Sequence, residues 1–197
     1  MKLENSKPMK IILDNGHGIE TPGKRSPVWL DGSQMFEYEF NRAITSRIYS
    51  AVILLGIDCV MLVPEIWDVP LEERTKRANK IHRLYGNSLT ISVHGNAGGG
   101  KGFEVYTYTG QSMSDVYATE FFNEADKTLD MVMRSDWSDN DPDKEAKFWM
   151  LRKTIGHSLL TENGFMDTET DCRYMMSEQG RDEIAKFHIN AILNVLS

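Results

Sequence analysis

The feature that most constrains the fold is a rhythm: short apolar runs closing on Gly or polar residues alternate with longer stretches of helical periodicity. Met9-Lys10-Ile11-Ile12-Leu13-Asp14 is the first run, and a loop over 15–36 with four Gly and two Pro follows it. Across 37–55, Phe40, Ile44, Ile48, Ala51, Val52 and Leu55 recur at the spacing of one helix face, and Gly56 stands where a helix stops. Residues 57–63 predict a buried strand, 70–85 a helix opened by Pro70 and closed by Gly86, and 89–94 a third strand. Alternating β-branched and aromatic residues predict a strand over 103–109, and 114–133 reads as a helix. An Asp-rich surface loop over 135–147, a short edge strand over 148–151, a buried strand over 158–161 and a terminal helix over 178–196 complete the reading.

Strands alternating with helices build an α/β fold, a mainly parallel or mixed twisted sheet with helices on both faces. With 197 residues, no internal repeat and no shift of composition, residues 1–197 read as a single domain. The net charge of −7 is spread along the chain and leaves no basic stripe for phosphates, which argues against nucleic acid as a partner. No apolar run approaches the roughly 20 residues of a membrane span, so membrane insertion is not expected. Residues 1–10 lack the apolar core of a signal peptide, and the chain as written is expected to be made in the cytoplasm. No obligate protein partner is evident. Cys59 and Cys172 have no paired spacing and read as free thiols.

In sheets of this kind ligands bind beyond the carboxyl ends of the strands. Three such ends carry metal-binding chemistry: Asp14-Asn15-Gly16-His17-Gly18, Ser92-Val93-His94-Gly95-Asn96 and Thr161-Glu162-Asn163-Gly164-Phe165. His17 and His94 are flanked by Gly, which lets backbone approach closely. A catalytic zinc usually takes three protein ligands and keeps one position open, so a third ligand is needed. At about 100° per residue, Glu37 falls within roughly 20° of Ile44, Ile48 and Leu55 and points inward, whereas Glu39 is rotated some 200° away toward solvent. His17-Gly18-Ile19-Glu20 offers a second possibility, the His-x-x-Glu spacing of carboxypeptidase-type zinc peptidases, with Glu20 in the place of Glu37. His82, His157 and His188 lack a strand-end setting and read as structural or surface residues.

The ordered set formed by Ile12 to Gly18, Glu37 with Asn41, Leu71-Glu72-Glu73-Arg74 with Ala78-Asn79, Ser92 to Ala97, Gly102-Phe103-Glu104-Val105 and Leu160 to Phe165 resembles the motifs of the zinc-dependent N-acetylmuramoyl-L-alanine amidases. The resemblance runs over most of the chain. It implies His17, Glu37 and His94 as zinc ligands, Glu162 as the catalytic carboxylate, and cleavage of the amide between N-acetylmuramic acid and L-alanine in peptidoglycan; a catalytic domain without a signal peptide suits a phage or prophage lysin, and a wall-recycling enzyme equally. Departures lie around these positions: Asn15 where Pro is common, Gly95 where Ala is common, and Pro64-Glu65 in place of Thr-Arg. A carboxylate such as Glu162, near the metal but not bound to it, can move protons between water and a departing amine. Asn96 is a candidate to orient a substrate carbonyl, and Arg152 or Lys153 to meet a carboxylate of the stem peptide. Trp29 and Trp67 are candidates to stack on sugar. A wall-binding domain that has lost catalysis is the rival from another class.

Overall fold

The structure, a computed structural model, describes residues 8–197; residues 1–7, which carry most of the N-terminal reading, lie outside the described residues. Its centre is a six-stranded sheet of β1 (Lys10–Asn15), β2 (Cys59–Met61), β3 (Ser88–Asn96), β4 (Phe103–Thr107), β5 (Lys144–Glu145) and β6 (His157–Phe165). The strand order is β2-β1-β3-β6-β4-β5. The first four in that order run parallel, while β4 is antiparallel to β6 and parallel to β5, so the sheet is mixed. Six helices join the strands: α1 (Glu37–Leu54), α2 (Leu71–Tyr85), α3 (Met113–Thr128), α4 (Trp149–Lys153), α5 (Glu169–Met176) and α6 (Glu178–Leu196).

Strand alternation assigns the two faces. Ile11 and Leu13 of β1 join Leu89, Ile91 and Val93 of β3 in the larger core, which α1, α3 and α6 cover through Phe40, Ile44, Phe121 and Phe187. Ile12 points the other way, into a smaller core with Val63, Val69, Ala78 of α2 and Met150 of α4. Each of these strands is buried on both sides, which explains why β1 reads as a continuous apolar run. Among the described residues no helix is long and apolar enough to cross a membrane.

Four expectations need correction. The 148–151 segment is not an edge strand; it is the start of α4, which tucks Met150 and Leu151 against the rest of the protein. A run of four apolar residues does not distinguish one helical turn from a strand. The edge strand is instead the pair Lys144–Glu145, within the segment expected to be a loop. Helix α3 ends at Thr128 rather than 133, because Val132 O accepts from Phe103 N and Arg134 N donates to Phe103 O, drawing that segment alongside β4. Helix α5 has no counterpart in the sequence reading; its polar sequence hides an inner side formed by Cys172 and Met175.

His188 is structural, as expected. It is fully buried on α6, with Nδ1 2.8 Å from Ile184 O and Nε2 3.0 Å from Thr161 Oγ1. Burial pushes its imidazole down to about 4, so it is neutral at pH 7. An unfolded histidine titrates near 6.5. Below that pH the unfolded chain takes up a proton that the folded chain refuses, so stability falls as the pH drops toward 4. We expect His188→Gln to be less stable at pH 7 but to lack about 2 kcal/mol of the loss that the parent protein shows by pH 5. Urea unfolding of both proteins at the two pH values checks this; equal losses in parent and variant would remove His188 from the acid response.

Candidate active site

His17 leaves the end of β1 with φ 65°, a left-handed conformation uncommon for a residue with a side chain. The loop around it is held through three carbonyls: Arg42 Nη1 donates to His17 O at 2.9 Å and Arg74 Nη2 to the same oxygen at 3.4 Å, Asn41 Nδ2 to Gly16 O at 2.9 Å, and Arg74 Nη1 to Asn15 O at 3.1 Å. Arg74 is itself buried, and its charge is met by Asp14 Oδ1 at 2.7 Å, while Ser92 Oγ donates to Asp14 Oδ2. A Cβ on Gly16 would lie 2.0 Å from His94 Cε1, so only glycine lets this loop pass over the second imidazole.

Glu37, in the first turn of α1, brings the third group. Its Oε1 lies 3.0 Å from His94 Nδ1 and 3.3 Å from His17 Nε2, with its side chain almost wholly buried. The ligand atoms of His17, Glu37 and His94 all fall within 4.8 Å of one another. Three atoms bound at about 2.1 Å to a tetrahedral ion stand roughly 3.4 Å apart, so the observed spacings suit such an ion. His17 Nε2 and Glu37 Oε2 are buried and make no well-formed hydrogen bond, only the longer contacts with Glu37 Oε1 and Lys24 Nζ, which leaves their lone pairs free to meet a cation. Burial works against the charge of Glu37, but the imidazoles of His17 and His94 outweigh it and hold the carboxyl below its ordinary range. His17 shifts down because burial dominates, whereas for His94 the hydrogen bond and charge of Glu37 outweigh burial and raise it.

Glu162 pairs with His94 across β3 and β6 but is not one of the three clustered groups. Its Oε2 is buried with no hydrogen-bond partner, and burial pushes its carboxyl up to about 7, with His94 pulling the other way. A carboxyl in that range can give or take a proton near neutrality. On its other side Glu162 pairs with Glu104 of β4. Burial also opposes the charge of Glu104, but Lys144, Arg134 and Tyr106 bind it and keep it ionised.

Two pockets that share His17, His94, Leu71 and Met150, with volumes of about 390 and 220 Å³, form a cleft at this site. Glu162, Lys24, Phe148 and Trp149 line the smaller one. Lys24 Nζ lies 3.5 Å from Glu37 Oε2. Of the residues singled out from sequence, Glu20 stands apart from the cluster and accepts from Asp68 N at 2.9 Å, and Glu39 is paired with Arg181 at the surface. Asn96 has both ends of its amide engaged, donating to Glu104 Oε2 and accepting from Ala97 N. Arg152 is exposed with its guanidinium 5.5 Å from the Trp149 ring, and Lys153 lies over the same ring. Trp29 packs against the larger core and Trp67 is exposed, and neither lines the cleft. Cys59 and Cys172 are buried free thiols.

Sequence reasoning missed Lys24, Phe148 and Trp149 as cleft residues, and it gave no role to the Asp14–Arg74 pair that braces the His17 loop. Lys24 lies in a loop without periodicity. The only available signal for Trp149 was its neighbour Arg152, already a candidate for the substrate side.

A family profile described as N-acetylmuramoyl-L-alanine amidase matches residues 11–194. The chain belongs to that family. This amidase is 29% identical over 184 residues to the sporulation-specific N-acetylmuramoyl-L-alanine amidase of Bacillus subtilis, covering 93% of this chain and 67% of that protein. It is 27% identical over 190 residues to the endolysin of Bacillus phage SPP1, covering 95% of this chain and 66% of the endolysin. Its fold superposes on the crystal structure of an N-acetylmuramoyl-L-alanine amidase from Clostridium difficile 630 with TM-score 0.83 at 20% identity, covering 96% of this chain and 97% of the other. The amidase is a hydrolase of peptidoglycan, and the bond it cuts joins N-acetylmuramic acid to L-alanine.

Proposed function

We propose that the amidase works with one zinc ion held by His17, Glu37 and His94, with Glu162 as its proton-moving carboxylate. The observation that carries the reading is the convergence of two imidazoles and a buried carboxylate, two of whose buried donor atoms lack a well-formed hydrogen bond, beside a second carboxyl raised to about 7. Zinc bound there would polarise the scissile carbonyl and make a water acidic enough to attack near neutral pH. The chain's own residues do the rest. Glu162 takes the proton of the attacking water and delivers it to the L-alanine nitrogen as the C–N bond breaks. Lys24, on the cleft wall, offers a cation to substrate oxygen, and Phe148 with Trp149 offers an apolar face to sugar or peptide. Arg152, exposed beside Trp149, offers a cation to a stem-peptide carboxylate. Asn96 acts through Glu104 rather than on the substrate, since its amide is already engaged.

The setting we favour is a lytic amidase of the endolysin kind, supported by the likeness to the phage SPP1 endolysin. The reading is tested by mass spectrometry of digests of purified peptidoglycan. Stem peptides with a free L-alanine amino group and glycan strands that keep the lactyl carboxylate are expected. Shortened stems still attached to muramic acid would show a peptidase instead, and unchanged wall would show a binding domain.

A further inference from the structure

Away from the catalytic cleft, at the far end of β4, the structure holds a second cluster of acidic groups. β4 runs antiparallel to β6, with Phe103 opposite Asn163 and Tyr106 opposite Leu160, so Thr107 lies toward the amino end of β6 while Glu162 lies toward its carboxyl end. Around Thr107 gather Asp115 from the start of α3 and Asp141 and Asp143 from the segment that leads into β5, their ligand atoms within 4.8 Å of one another.

Three carboxylates at this spacing repel, and the basic side chains that flank their segment, Arg134 and Lys144, are both paired with Glu104 instead. Asp143 is 2% exposed; its Oδ2 accepts from Thr107 Oγ1 at 2.6 Å, but its Oδ1 is buried with no hydrogen-bond partner. Oδ1 of Asp141 is likewise buried and unpartnered, while its Oδ2 accepts from Gln111 Nε2. Asp115 accepts the Ser112 hydroxyl and amide on Oδ2, while its Oδ1, 2.9 Å from Thr107 Oγ1, competes with Asp143 for that hydroxyl's one proton. Two hidden carboxylate oxygens therefore have no donor from another residue, which is costly unless a shared proton or a cation occupies the space between them. Burial is the largest influence on Asp143 and, with the contact and charge of Asp141, outweighs the Thr107 hydrogen bond to push its carboxyl up to about 8.

We propose that Asp115, Asp141 and Asp143 form a calcium site. All the donors are oxygens, which suits a hard divalent cation better than zinc, whose protein sites usually include nitrogen or sulfur beside any carboxylate. Asp139-Asn140-Asp141-Pro142-Asp143 places acidic side chains at alternate positions along one loop, and Asn140 takes a left-handed φ of 78° that turns the loop back on itself. Bound calcium would tie this loop to the start of α3 and the end of β4. The same loop continues into Lys144, whose Nζ donates to Glu104 Oε1 at 2.6 Å, and Glu104 is the strand partner of Glu162. The site would thereby steady one wall of the catalytic cleft without touching the substrate.

The test is calcium titration of the full chain, stripped of metals and then loaded with zinc, followed by calorimetry and thermal unfolding. At ten times Kd the melting temperature should rise by roughly 4 °C. Asp141→Asn and Asp143→Asn should each abolish that rise, and above pH 8, where the Asp143 carboxyl carries its charge, Asp143→Asn should melt higher than the parent in the absence of calcium because a repelling charge is gone. Glu37→Ala should keep the calcium response, since the two sites share no residue. Absence of calcium binding up to about 10 mM, beyond the weakest class of natural calcium sites, would overturn the proposal. So would an undiminished response in both Asp variants, or a response to magnesium with none to calcium.

Discussion

Glu162→Gln is expected to lower turnover of peptidoglycan by about 10² to 10⁴-fold, the usual worth of general acid and base work, while leaving zinc content and folding intact. The amide has nearly the shape of the carboxyl, but it cannot accept the proton of water. Glu162 lies outside the three-residue cluster, so the metal donors are untouched by the change. Its Oε2 makes no hydrogen bond that the fold would lose. Removing a carboxyl raised to about 7 should leave stability near neutral pH unchanged or slightly improved. Zinc stoichiometry, melting temperature and turnover measured on one preparation separate the roles. Lost zinc would make Glu162 a ligand, and retained turnover would remove it from the chemistry.

Glu37→Ala should weaken zinc binding by more than about 100-fold, because loss even of an outer partner to a metal ligand costs 10- to 100-fold. Glu20→Ala should leave binding nearly unchanged. Glu37 is buried against both imidazoles, whereas Glu20 is exposed and spends its carboxylate on Asp68 N. Competition against a chromophoric chelator ranks the two variants directly. The reverse ranking would revive the carboxypeptidase arrangement of ligands.

The placement of Glu37 was legible because a helix repeats every 3.6 residues: a carboxylate on the stripe of Phe40, Ile44 and Ile48 must face the sheet. The same arithmetic placed Glu39 outside, where it meets Arg181. Leu55, also assigned to the stripe, is exposed, because α1 ends one residue earlier and Leu55 takes up a non-helical cap conformation. His17 and His94 were legible from their positions after apolar runs. What periodicity could not supply was pairing between distant segments. Nothing local in Asp14 announces Arg74, and nothing in the 129–134 segment announces its hydrogen bonds to Phe103. Helix α4 and its Trp149 escaped for a related reason, since five residues are too few for a period to declare itself. Trp29 and Trp67 drew attention as loop tryptophans, yet the cleft wall is built by the aromatic residues that α4 carries to it.

On the proposed mechanism this amidase acts through a single metal held by His17, Glu37 and His94. The most direct measurement is metal content and peptidoglycan turnover on the same purified sample before chelation, after it, and after zinc is restored. About one zinc per chain, activity lost with the metal and recovered on its return is the predicted result. Full turnover by metal-free protein would contradict it.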